Sequence, residues 1–340
     1  FLYLNTNKLG ITLNLRTATG LRIFKELVGR ADILVENNHP SLMEELGIQY
    51  QTLKEINPAL IMTSISPFGQ SGPYRDYKTS NLVSIHMGGI GYVTPWIVDD
   101  LEHQPPLKGG GRQADFLAGL SAAIVTMAVV WQRQMSGLGC HIDLSEHEAV
   151  AAIVGRDLVS HTMDDLVQTR GVPPVAGAFS LIRCKNGYFQ VYVREDRQWW
   201  PFVEAIGSPN WAREERFKDP QSRTDNWDAL EPLIWDSTKD INKEEIFHKC
   251  QANHIACAPA NDMEEVFRSG HLEARGTFVE IDHPQAGKAR YPRALHHLSR
   301  TPSRATRPAP LLGEHNEEIV SGRLGYSREE LVRMRGVGVI

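Results

Sequence analysis

Along the first 150 residues the hydrophobic positions switch between two periods. ITLNLR at 11–16 alternates as a strand does. TATGLRIFKELVGR at 17–30 predicts a helix with Leu21, Phe24 and Leu27 on one face. ADILVEN at 31–37 is a short apolar run, the pattern of a strand buried on both faces. SLMEELGIQYQTLKEI predicts further helix, and LIMTSIS at 60–66 a further strand. Strands alternating with helices at this spacing predict βαβ units and a parallel sheet, hence an α/β fold. SPFGQSGPY at 66–74 and the Gly- and Pro-rich stretch at 98–112 predict loops. The longest apolar run, FLAGLSAAIVTMAVVW from Phe116 to Trp131, is shorter than the ~20 residues of a membrane span and predicts a helix buried on all sides. CHIDLSE at 140–146 predicts another strand.

Beyond residue 150 the pattern changes. GVPPVAG at 171–177 reads as a linker. SLIRCKNGYFQVYVRE predicts a hairpin with Asn186-Gly187 as a type I′ turn. Five of the seven tryptophans lie between Trp199 and Trp235, which predicts a small core of its own. SRTPSRATRPAPLLG reads as a second linker, and EEIVSGRLGYSREELVRM as one or two helices. The expected organisation is a large domain over 1–150, a linker over 151–177, a small α+β domain over 178–284, a linker over 285–308, and a return to the large domain over 309–340.

Composition narrows the function. The chain has 36 basic and 41 acidic residues, net charge −5, so it has no global attraction to nucleic acid or an anionic membrane. Four cysteines without C-x-x-C spacing predict reduced, mostly buried thiols in a cytoplasmic protein rather than a disulfide framework or zinc site. The opening FLYLNTNK has no signal-peptide pattern. The glycines at 109–111 fit neither a P-loop nor a dinucleotide fingerprint, and H-E-x-x-H and G-x-S-x-G are absent, so metal, phosphate-loop and serine-hydrolase chemistry are disfavoured. Asp115 stands out at the start of the long apolar helix. Two readings fit it: an N-cap that satisfies helix N–H groups, or a carboxylate held and partly desolvated for nucleophilic attack.

Several stretches, taken in order, resemble the family III CoA-transferases, the group of formyl-CoA and carnitine CoA-transferases. They are NTNKLGITLNL, ADILVENNHPSLMEELGIQYQTLKEINPALIMTSISPFGQSGPY, GRQADFLAGLSAA, RQMSGLGCHIDLSEHEA and APLLGEHNEEIVSGRLGYSREELVRMRGVGVI. The resemblance implies a Rossmann-like large domain, a smaller inserted α+β domain and an interlinked homodimer. It implies CoA transfer from an acyl-CoA donor to a small carboxylic acid, with acyl-CoA as substrate and no permanently bound cofactor, metal, nucleic acid or membrane. It makes Asp115 the nucleophile, passing through an aspartyl anhydride and an aspartyl-CoA thioester. For the CoA site it implies Leu13, Asn14, Leu15 and Arg16, then Asn37, Asn38 and His39, and Lys78, Thr79, Ser80 and Asn81. Arg16 and Lys78 are candidates for the phosphates. His39 and Glu45 stand where many relatives have Arg, and the family's glycine-rich loop is not visible around 178–195. The family's first βαβ unit has no counterpart here. The expectation is therefore a truncated chain, exposed apolar surface along 21–28 and 33–35, low stability and weak CoA affinity. An α-methylacyl-CoA racemase of the same fold, a dinucleotide oxidoreductase and a chain without activity remain alternatives.

Overall fold

The computed structural model describes residues 1–96, 98, 100–171, 180–193 and 195–340. The chain forms two compact units. The first comprises Phe1–Trp96, Leu101–Arg170 and Thr277–Ile340, and the second the described parts of 97–100 and 171–276.

The first unit is built on three parallel strands, β1 (Ile33–Glu36), β2 (Ile61–Ser66) and β3 (His141–Ser145), in the order β1-β2-β3. The sheet and its intervening helices make the expected α/β fold. Helices α1 (Ala18–Val28), α2 (Pro40–Glu45) and α3 (Tyr50–Ile56) connect β1 and β2 to the rest. Val28, Met43, Leu53 and Met62 form the core they share. The expected single helix over 41–56 is two, because Gly47 takes a left-handed φ of 63° between them. Helices α4 (Asn81–Met87) and α5 (Gln113–Ser136) precede β3, and α6 (Glu146–Ile153) and α7 (Gly155–Asp164) follow it. Successive β2 side chains point to opposite faces. Met62 enters the core under α1–α3, and the Thr63 hydroxyl meets that of Thr126 on α5 at 2.7 Å, so helices cover both faces of the sheet. Close approach at the entry to β3 requires glycine, since a Cβ on Gly139 would lie 1.9 Å from the Leu60 carbonyl oxygen.

Three expectations fail in this unit. Residues 11–16 are not a strand. Their backbone donors are taken elsewhere, Thr12 N–H by the Asn316 side chain and Asn14 N–H by the Val339 carbonyl, so no ladder forms. The expected linker over 151–177 is helical in its first part, where α6 runs to Ile153 and α7 spans Gly155–Asp164. Most consequential is α5, which is 24 residues long and, by length and composition, apolar enough to cross a membrane. It is not buried on all sides. Its covered positions are Ala114, Ala118, Ala122 and Thr126, spaced by four. Small residues along that stripe let the helix settle closely on its neighbours, so the large residues turn outward: Phe116, Leu120, Ile124, Met127, Trp131 and Met135 are exposed, Ile124 by 71%.

The C-terminal part completes this unit. A π-helical turn (Glu317–Arg323) and the last helix, α14 (Arg328–Gly336), match the expected one or two helices. Val320, Leu331 and Met334 pack with Ile23 of α1 and with Leu13. The face of α1 is thus largely covered by the chain itself, whereas Ile33 and Val35 on edge strand β1 are exposed. The antiparallel hairpin of β7 (Phe278–His283) and β8 (Gly287–Pro292) also groups here, although 278–284 was assigned to the small domain and 285–308 to a linker.

The second unit has an antiparallel sheet of β4 (Ser180–Cys184), β5 (Gly187–Tyr192) and β6 (Ala256–Pro259), in that order. Its helices are α8 (Asp196–Ala205), α9 (Pro220–Asp225), α10 (Trp227–Thr238), α11 (Lys243–Ala252), α12 (Met263–Phe267) and α13 (Gly270–Ala274). Its core holds Phe189, Trp199, Phe202 and Phe217, with Trp211 and Trp227 against it, so the tryptophan-rich segment does make its own core. The expected hairpin is present with its turn shifted. Cys184 pairs with Gly187, leaving Lys185 and Asn186 as the turn, and neither has positive φ, so it is not type I′. The reason is docking. Lys185 N–H donates to the Ile241 carbonyl, and Asn186 Oδ1 accepts from Lys243 N–H at 2.8 Å. The 171–177 linker lies outside the described residues from 172 onward, as do 178 and 179 of the stretch searched for the glycine-rich loop.

Candidate active site

Helices α4, α5 and α6 meet at their N-terminal ends. Ile85 of α4, Ala114 of α5 and Val150 of α6 form a small core that fixes them together. Gly88 is part of this fit, because a Cβ there would press on Val150 at 2.4 Å. The convergence places Asn81, the first residue of α4, against Asp115 in the first turn of α5. Glu146, the first residue of α6, is close enough for the two carboxyls to repel.

Asp115 is not an N-cap. The helix begins two residues earlier, and Arg112 at the cap position makes no side-chain capping bond. With no cap duty, the carboxylate is held by side chains. Arg112 donates Nε–H to Oδ2 at 2.9 Å and Nη2–H to Oδ1 at 3.0 Å, and Asn81 Nδ2 donates to Oδ2 at 2.8 Å. The Arg112 bond is the main reason the Asp115 carboxyl titrates below the ordinary aspartate range, against partial burial that acts the other way. The positive end of α5 favours the same anion. The side chain remains 36% exposed. Beside it lies a cavity of about 290 Å³, lined by Leu4, Phe116, Gly119 and Leu120 together with Arg112 and Asp115. Glu146 is the opposite case. Burial pushes its carboxyl up, the nearby Asp115 charge adds to this, and its Oε1 is buried without a partner, as is Asn81 Oδ1. The site therefore holds one readily ionised carboxylate and one that keeps its proton longer. Among the described residues, none of the groups bearing on Asp115 is a histidine, the partner that paired acid–base chemistry of the racemase kind would need.

The profile of CoA-transferase family III matches residues 1–316. The chain belongs to the family III CoA-transferases. A formyl-CoA:oxalate CoA-transferase of Streptomyces avermitilis is 31% identical over 100% of this chain and 86% of its own length. The succinyl-CoA–L-malate CoA-transferase beta subunit of Chloroflexus aurantiacus is 29% identical over 98% of this chain and 83% of its own. A solved CAIB/BAIF family protein from Brucella suis superposes with a TM-score of 0.82 at 26% identity, covering 94% of this chain and 82% of that one.

In this family III CoA-transferase the expected CoA residues fall into three segments, two of which lie together. Asn37, Asn38 and His39 leave the carboxyl end of β1, and Lys78, Thr79, Ser80 and Asn81 end the long loop after β2. That is where open parallel sheets bind ligands. The two segments touch through His39, whose Nε2 lies 3.3 Å from the Asp76 carbonyl oxygen. Asn38 is exposed but tied back to β1, its backbone N–H and side-chain amide donating to Glu36 Oε2 at 2.8 and 3.3 Å. Thr79 Oγ1 lies 3.5 Å from the Ser84 hydroxyl, and Asn81 is spent on Asp115. Lys78 is exposed and makes no ion pair among the described residues. Among the described residues, Leu13, Asn14, Leu15 and Arg16 make no hydrogen bond or ion pair to these two segments. Leu13 and Leu15 pack against the cores, Asn14 is held to the C-terminal tail through Gly338, and only Arg16 is an exposed cation there. Sequence reasoning missed Arg112 and Glu146. Arg112, three residues before Asp115 on a helix start, is a neighbour by spacing and was legible. Glu146 was not, since only the end of β3 brings it near.

Proposed function

We propose that this chain moves coenzyme A from an acyl-CoA donor to a carboxylic acid, with Asp115 as covalent nucleophile. The reading is supported most by one observation: an ionised, half-exposed carboxylate in the first turn of α5, opening onto an apolar cavity suited to a small acyl group. An Asp115 oxygen attacks the thioester carbonyl and the C–S bond breaks, giving an anhydride and CoA thiolate. The thiolate attacks the aspartyl carbonyl of that anhydride and releases the donor acid, leaving an aspartyl-CoA thioester. The acceptor carboxylate attacks in turn, and CoA thiolate finally joins the new acyl group. A free carboxylate is a weak nucleophile, so fixed orientation has to supply much of the rate. CoA would lie over 37–39 and 78–81, with Lys78 and Arg16 toward its phosphates.

The exposed apolar stripe of α5 favours a homodimer, since a row of large apolar side chains from Phe116 to Met135 is costly to leave in water. The test of the central claim is trapping. The enzyme is incubated with a panel of acyl-CoA thioesters, quenched and weighed. CoA carried on the peptide containing Asp115, and absent from Asp115→Asn, is the expected result. Adduct on another residue, or none across the panel, refutes it.

A further inference from the structure

Arg112 occupies the carboxylate that the proposed reaction must use. Its guanidinium spans both Asp115 oxygens, at 2.9 and 3.0 Å, and makes no other hydrogen bond or ion pair among the described residues. The side chain is 75% exposed, so it can turn without disturbing any core. It follows three glycines, and Gly110 and Gly111 have open space around them. Lys108 steadies this loop by donating to the Gly109 and Gly111 carbonyls.

When Asp115 becomes an anhydride or a thioester its negative charge is gone. The remaining carbonyl oxygen is a poor partner for a cationic fork. Arg112 is then an unpaired guanidinium at the acyl centre, at the stage when a carboxylate must be recruited. Guanidinium matches carboxylate geometry better than any other side chain. Resting on the reading of Asp115 as nucleophile, we propose that Arg112 is the acceptor-selecting residue of this site: it holds Asp115 in the free enzyme and passes to the carboxylate of the incoming acid once Asp115 carries CoA.

In the step concerned, Arg112 grips one oxygen of the acceptor and the other attacks the aspartyl-CoA carbonyl carbon. A C–O bond forms, the C–S bond breaks, and sulfur leaves with the electron pair as CoA thiolate. The thiolate then attacks the acceptor-side carbonyl of the new anhydride. The bond between the acceptor's acyl carbon and the bridging oxygen breaks, the electron pair stays on that oxygen as part of the Asp115 carboxylate, and Arg112 takes that carboxylate back. No oxidant, reductant or external proton is needed. The arrangement also orders the reaction, because the acceptor's partner is occupied until the donor has reacted.

The aspartyl-CoA adduct, prepared from succinyl-CoA, is discharged with succinate, an anion, or with hydroxylamine, a neutral nucleophile that needs no clamp. In Arg112→Gln, discharge by succinate should slow at least tenfold more than discharge by hydroxylamine. Arg112→Lys, which keeps the charge but loses the fork, should fall between. Equal slowing by both nucleophiles would mean that Arg112 only positions the adduct, and no slowing would mean it has no part in the step; either overturns the proposal. Absence of a CoA adduct on the Asp115 peptide of the wild-type enzyme across the acyl-CoA panel would instead sink the underlying reading.

Discussion

Replacing Asp115 by Asn keeps the side chain's shape and removes its charge and nucleophilicity. On stability the effect is small. A carboxylate in the first turn of a helix contributes about 0.3–1 kcal/mol, and the contact with largely exposed Arg112 is solvent-screened and adds little. For a chain of 340 residues about 1–2 °C of Tm accompanies each kcal/mol, so the melting point should fall by no more than about 2 °C. On catalysis the effect is large. Loss of a covalent nucleophile costs on the order of 10⁴-fold or more in kcat, equivalent to about 5 kcal/mol in the barrier. The two magnitudes separate a chemical role from a structural one. The assay pairs transfer kinetics with thermal melting on the same preparation, and adds Asp115→Ala, which cannot revert to aspartate by deamidation. Turnover within tenfold of wild type in both variants, with normal melting, would refute the assignment. A collapse of Tm matching the loss of rate would make Asp115 structural.

The pH dependence follows from the two carboxyls. Asp115 titrates low because Arg112 hydrogen-bonds its ionised form, so the acidic limb of kcat/KM for the acyl-CoA should lie below the ordinary aspartate value of about 3.9 and move up in Arg112→Gln; a limb above that value in the wild type would contradict this. Glu146 is raised by burial, so its contribution to stability is complete below the unfolded value of about 4.3 and is lost as pH rises through its folded value. Glu146→Gln, which imitates the protonated form, should therefore raise Tm at pH 8 relative to wild type and leave it nearly unchanged at pH 4, read by melting curves at both. If the apolar stripe of α5 joins two copies, Ile124→Glu should convert a dimer to monomer in light scattering after size exclusion; a monomeric wild type would end that idea.

The run IMTSIS declared itself as a strand because β2, flanked by β1 and β3 and covered on both faces, is buried along nearly its whole length, whereas ILVE did so by its short β-branched run even though Ile33 and Val35 are exposed on the sheet edge. The Trp199–Trp235 segment declared its own core for a similar reason: so much aromatic surface must be buried locally. Asp115 was legible through the ordered family motifs around it. Direction and proximity were not. FLAGLSAAIVTMAVVW reads as helix from its composition, but which side faces inward was decided by its neighbours: Ala114 joins Ile85 and Val150 of α4 and α6, Thr126 meets Thr63 of the sheet, and the larger residues turn out. ITLNLR has the alternation of a strand, yet the returning C-terminal tail took its backbone donors. Asn81 and Glu146 lie 34 and 31 positions from Asp115 in the sequence. Local sequence governs periodicity, which is a property of neighbours. The environment of a carboxylate depends on groups that only packing brings together, here through the fit of Ile85, Ala114 and Val150 beneath three helix ends.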